Sequence, residues 1–269
     1  MKRAAILLAC LAGCASPAID PPRDPIPLSA DVTAPAAKPV AIAAFLASLK
    51  PMDKADRRAA LLAAVTSHQF PGDDGRLING TLLAEYANDP DIHMAIATWR
   101  LAEGDPAGAL AAAKRASALD PKRGAAWFLQ GRVLILQRSY ASAEPPILKA
   151  VALEPGNARY LNGLGALNAL RGARDRALAA YRMAIDADSA DGFAWYNSGV
   201  LYLGANRPRD AADAFYGAGL AYLKTGDTAR AEDAARQLEA LSRQSVRCDA
   251  DIAILRNALT QSSAARSPS

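Results

Sequence analysis

Apolar residues recur along this chain at helical spacing, and the pattern itself returns every 34 residues. Ala143, Ile147 and Ala150 fall at i, i+4 and i+7, on one face of a helix. Ala177, Tyr181 and Ala184 do the same, as do Ala211, Phe215 and Ala218. Gly131, Gly165 and Gly199 stand 34 apart, and so do Trp127, Leu161 and Trp195. Pro121 and Pro155 close two apolar-acidic phrases at the same interval. A fixed period of this size signals a stacked array of helix pairs. No single pair can bury its own apolar face, so the stack is the stable unit. Gly104 ends one helix and Asp105 caps the next, with Pro106 in its first turn; Gly226-Asp227 has the same form.

Outside the regular repeats the pattern is still helical. Ile42, Phe45, Leu46 and Leu49 make one apolar face before Pro51. Lys54 to His68 is a second helix, Gln69 to Gly80 a loop, and Leu82 to Tyr86 part of a short third helix. The last two helices form a degenerate repeat. The loop phrase Pro71-Gly72-Asp73-Asp74-Gly75 lacks the alternating oxygen ligands of a calcium site and is expected to be a solvated turn. Pro145-Pro146 predict a late start near Glu144, or a distorted one, for the second helix of their repeat. Gly219 lies only 20 beyond Gly199, so Pro208 to Lys224 is expected to serve two pairs at once. Asp249 to Thr260 is a terminal capping helix with Ile252, Leu255 and Leu259 inward, and Gln261 to Ser269 a tail.

From Pro90 to about Leu241 the chain resembles the tetratricopeptide-repeat family. The resemblance rests on Ala97, Ala109, Ala113, Ala116 and Pro121 in the first copy, and on Trp127, Gly131, Leu134, Ala143, Ile147, Ala150 and Pro155 in the second. Leu161, Leu164, Gly165, Ala177, Tyr181 and Ala184 carry the third, and Trp195, Gly199, Tyr202, Ala211, Phe215 and Ala218 the fourth. It implies an all-α fold, a solenoid of stacked antiparallel helix pairs. The division that follows is 40–89 for irregular N-terminal helices, 90–244 for the repeat array, and 245–269 for the capping helix and tail. In this family the inward positions of each first helix line a partner-binding groove. Carried over, these are Met94 and Thr98; Phe128, Arg132 and Ile135; Arg159, Asn162 and Ala166; and Phe193, Tyr196, Val200 and Leu203. Trp127 then belongs to the core and Phe128, one residue and about 100° further on, to the groove. The alternative is that Phe128 and Tyr196 are core residues of neighbouring repeats. An apolar, aromatic groove with two arginines suits an amphipathic segment or one bearing a carboxylate.

The first residues do not belong to the array. Lys2 and Arg3 precede an apolar run from Ala4 to Ala12, which is too short to span a bilayer and is expected to be an export signal. Leu11-Ala12-Gly13-Cys14 resembles the bacterial lipobox. That resemblance implies cleavage after residue 13, a lipid on Cys14, and, with Ala15 rather than aspartate following, sorting to the outer membrane. Residues 14–39 carry Pro17, Pro21, Pro22, Pro25, Pro27, Pro35 and Pro39, a composition of extended tethers. Lipobox, proline-rich tether, repeats and cap together resemble the lipoproteins that assemble tight-adherence (Flp) and type IV pili. The expected role is a lipid-anchored periplasmic scaffold for another envelope protein. An adaptor for cell-wall or envelope-biogenesis enzymes is the alternative, and an enzyme with its site in Val40 to Asn88 a third.

Charge and chemistry narrow the classes. Lysine and arginine number 31 against 27 acidic residues, and Lys2 and Arg3 leave with the signal, so nucleic acid is not an expected partner. Arg171, Arg174 and Arg176 edge a turn and a helix start. His68, His93 and Cys248 have no zinc spacing. Gly163-Leu164-Gly165 has no strand before it, and Asn197-Ser198-Gly199 lacks the glycine of a nucleophile elbow. No catalytic residue, metal, cofactor or small-molecule substrate is expected. Cys248 either links to another chain or is buried between the last repeat and the cap.

Overall fold

The computed structural model describes residues 42–244 and 246–264, and every described element is α-helical. Cys14, the signal, the tether and the last five residues lie outside the described residues. The chain divides into two compact units, residues 42–171 and residues 172–264 among those described.

The first unit holds α1 (Ile42–Leu49), α2 (Lys54–Thr66), α3 (Gly72–Tyr86), α4 (Pro90–Ala102), α5 (Pro106–Leu119), α6 (Gly124–Leu136), α7 (Tyr140–Leu153) and α8 (Ala158–Leu170). Its main core is continuous from α1 to α6. Leu49, Leu61, Ile78, Leu82, Ile92, Ile96, Trp99, Ala113, Leu129 and Val133 are buried in one cluster. The N-terminal helices therefore share a core with the regular repeats.

The second unit holds α9 (Arg174–Ala187), α10 (Gly192–Gly204), α11 (Pro208–Lys224), α12 (Thr228–Ser242) and α13 (Asp249–Ala264). Helix α11 packs on both α10 and α12, so one helix serves two pairs, as the shortened spacing required. Helix α13 closes this unit. Leu255 is buried beside Gly219, with Ile252 and Leu259 packed at the edge of the same cluster. Cys248 is buried too, its Sγ 3.4 Å from the Leu238 carbonyl oxygen, and burial pushes its thiol pKa up.

Turns within the helix pairs share one device. The second residue past the helix takes a positive φ at His68, Gly104, Arg138, Gly172, Asn206 and Gly226. At five of them the same two hydrogen bonds tie off the helix end. In the second pair, for instance, Arg138 N donates to Ile135 O at 2.9 Å and Ser139 N to Leu134 O at 2.8 Å. Positions 104, 138, 172 and 206 stand one period apart. His68 marks α2 and α3 as a pair of the same kind.

Two local expectations are corrected. Gln69 to Gly80 is not a loop, because α3 begins at Gly72 and runs 15 residues. Asp73 and Asp74 lie in its first turn, where the helix dipole favours negative charge. Gly75 faces the Trp99 ring so closely that any side chain there would collide with it. Pro145 and Pro146 do not delay α7, which starts at Tyr140 and contains both. The amide donors they lack leave open only the carbonyls of Ala141 and Ser142, residues exposed to solvent.

Candidate functional site

The carried-over groove residues begin with short local causes. Each first helix is entered at a repeating position: Asp89, Arg123, Asn157 and Asp191 stand 34 apart. Three of these cap with their side chains; Asp89 Oδ1, for example, accepts from Asp91 N at 2.9 Å. Arg123 makes no cap and instead reaches Asp91 at 2.6 Å. With entry and register set, the inward residues take fixed directions. What stands opposite them differs.

In the first unit Phe128 is only 2% exposed. Its ring lies over Gly163 of α8, where a Cβ would collide with it, and 4.9 Å from the Tyr160 ring. The Arg159 guanidinium sits 5.5 Å from the Phe128 centroid, on the outer side. Tyr160 is pushed up to about 12, by burial first and by Glu154 next. Arg132 is 8% exposed and Asn162 1% exposed, and Ile135 and Ala166 are buried. Phe128 is therefore a core residue rather than a groove residue, the alternative the register left open. Trp127 is half-buried, with Nε1 donating to Pro121 O at 2.9 Å. Met94 is half-buried, and Thr98 and Arg159 are exposed.

In the second unit Phe193, Tyr196, Val200 and Leu203 are all partly accessible. Phe193 meets Tyr222 edge-on at 5.5 Å, with Arg230 over its ring at 4.9 Å. Tyr196 stands on Phe215 at 5.1 Å. Asp191 accepts from Phe193 N and Ala194 N, yet its carboxyl pKa is raised because burial strips its water.

The sequence did not reveal a charged cleft in the first unit, with a volume of 510 Å³, where α2 faces the α3–α4 junction. Arg58 bonds Asp89 at 2.6 Å and Asp91 at 3.2 Å, 31 and 33 residues along the chain. The Arg58 guanidinium holds the Asp89 carboxyl below the usual range. Tyr86 donates its hydroxyl to Lys54 O at 2.7 Å and takes the Lys54 ammonium over its ring at 5.6 Å. Asp89-Pro90-Asp91 signals a helix start in sequence; nothing local links it to Arg58.

Among the described residues no group of three or more His, Cys, Asp or Glu is placed to hold a metal ion, and no helix is long and apolar enough to cross a membrane.

Residues 94–158 match the tetratricopeptide repeat family. Solved structures extend the likeness over more of the chain. A MamA crystal structure is 21% identical, covers 65% of this chain and 97% of its own, and superposes with a TM-score of 0.53. A tetratricopeptide-repeat protein from Parabacteroides merdae is 16% identical over 82% of this chain and 91% of its own, TM-score 0.52. The Cut9–Hcn1 hetero-tetramer of the APC/C matches 80% of this chain and 45% of its own at 18% identity, TM-score 0.53. The chain has the tetratricopeptide-repeat fold. No curated protein matches its sequence.

Proposed function

We propose that this protein is a lipid-anchored periplasmic scaffold of the outer membrane, holding another envelope protein during assembly of a pilus or secretion system. The observation that carries the scaffold role is the series of first helices that keep side chains at the surface. These are Met94, Thr98 and Arg159 in the first unit, and Phe193, Tyr196 and Val200 in the second. Aromatic and arginine side chains of this kind supply most of the energy at protein interfaces. The anchor rests on the lipobox-like Leu11-Ala12-Gly13-Cys14, and the pilus role on the order of signal, tether, repeats and cap.

Two measurements test the reading. Cys14→Ser should release the protein from the outer-membrane fraction and abolish acylation; unchanged acylation and fractionation would refute the anchor. A partner cross-linked in membranes should be lost with Arg159→Glu and retained with Arg174→Glu, which changes an exposed residue of α9. The reverse result would put the partner on another face.

A further inference from the structure

We infer that the face of α11 and α12 beneath α13 is a self-association site, which takes the α13 of a second copy of this chain in exchange for its own. The inference does not depend on the scaffold reading above.

It starts from a gap in the repeat. The regular pairs set a glycine of the first helix against a large side chain 16 residues on, in their own second helix. Gly131 lies against Ile147 and Gly199 against Phe215, each so closely that a Cβ would collide. The shared α11 puts Gly219 at the same position of the last pair, and 16 residues on stands Ala235. Ala235 is fully buried but carries only a methyl group, too small to fill the space. Leu255 fills it instead, with its Cδ atoms where a Cβ at Gly219 would collide. The last pair thus draws its large side chain from a separate helix.

That helix is held lightly. Leu255 is the one buried side chain of α13 among the described residues, where α11 buries eight residues and α12 five. Beside it the Arg256 guanidinium forks between Glu232 and Glu239 of α12, reaching Glu239 at 2.6 Å. These side chains are 36%, 37% and 33% exposed, so water and salt weaken both pairs. Terminal elements with so few buried contacts open at far lower cost than the whole unit.

An open α13 turns the Gly219 socket and two carboxylates to solvent. What fits them is an aliphatic side chain followed by a cation. A second copy brings both, Leu255 and Arg256, in the same order. Exchange re-forms the contacts of the closed chain, so it needs no new complementarity and is governed by chain concentration. The link 243–248 between α12 and α13 spans at most ~25 Å when extended. The two copies must therefore lie close, as a two-fold pair in which each gives and receives a helix.

Disulfide trapping in the full chain tests the exchange. In a background of Cys10→Ser, Cys14→Ser and Cys248→Ala, one pool carries Glu239→Cys and another Arg256→Cys. Mixed and oxidised, the pools should form a cross-linked dimer whose yield rises with concentration. Adding Leu255→Asp to the second pool should cut that yield about tenfold, because the socket then refuses the helix. Arg174→Cys, exposed on α9, should give no cross-link in place of Glu239→Cys. A single chain carrying both Glu239→Cys and Arg256→Cys should close on itself. Four outcomes overturn the proposal. No mixed cross-link while the double variant closes keeps α13 with its own chain. A double variant that does not close means that α13 does not lie on α12 as described. Equal trapping with Leu255→Asp or Arg174→Cys is random collision. Linkage of the Glu239→Cys chain in membranes to a different protein alone gives the socket to another partner.

Discussion

Phe128 and Tyr196 hold the same place in the repeat, one in each unit, and meet different fates. Phe128 is closed over by the next first helix, whose bare Gly163 receives its ring. After α10 the period shortens, α11 does double duty, and Tyr196 stays half-exposed against Phe215. Asp89 and Asp191 make a second such pair. Both cap a first helix, but Arg58 lowers the Asp89 pKa while partial burial raises that of Asp191. Arg138 and Asn206 make a third, both left-handed at the end of a first helix. Repeat position fixes where a side chain points. The neighbouring element decides whether that direction is core, surface, ion pair or strain.

The largest expected effect comes at the first pair. Phe128→Ala should cost ~3–5 kcal/mol and Tyr196→Ala about half of that, measured by denaturant unfolding. Trp127→Ala, at a half-buried site, should also fall well short of Phe128→Ala. Equal losses at 127 and 128 would mean that α8 does not seat Phe128 as described.

The carboxylates come next. Asp89→Ala removes a cap and the shorter of the two carboxylate contacts of Arg58, leaving it with Asp91, and should cost about 2 kcal/mol at neutral pH. Because the folded pKa of Asp89 is depressed, its contribution is present above the unfolded value of about 3.9 and lost as pH falls through the folded one. The variant's deficit should accordingly shrink in acid. A deficit independent of pH would mean that the charge of the Asp89 carboxylate does not carry the loss.

Smaller and opposite in sign is the turn. Arg138→Gly should gain ~1 kcal/mol, since only glycine takes the left-handed region without steric cost. Asn206→Gly should gain less, because asparagine tolerates that region. Melting temperatures of the two variants rank them directly, and a loss at 138 would reveal a side-chain contact that outweighs the strain.

The smallest effect belongs to Asp191→Asn. Asparagine caps as well as aspartate and carries no charge to bury, so a gain under ~1 kcal/mol is expected at neutral pH. The folded pKa of Asp191 is raised, so the wild-type group loses stability as pH rises through it. The advantage of the variant should vanish near pH 3, below the unfolded value of about 3.9. An advantage that persisted there would point to packing instead.

The sequence by itself determined the helix pairs, their 34-residue period, the sharing of α11 and the closing role of α13. These follow from local rules, since apolar spacing, small residues and breakers act over a few residues. It also marked Gly104 and Gly226 as turn residues, and hid Arg138, because an arginine in the left-handed region leaves no local signature. Helix α3 was legible only in its last five residues, Leu82 to Tyr86: Gly72 to Gly75 has a turn's composition, and only the Trp99 ring explains why Gly75 sits in a helix. The site was the least legible part. One-residue register separates Trp127 from Phe128 but does not say which of them a neighbouring helix will cover. The tertiary structure alone decided that, by bringing Gly163 against Phe128 and Arg58 against Asp89 across 35 and 31 residues of chain. Contacts at that separation depend on which surfaces meet, and no local pattern encodes the meeting.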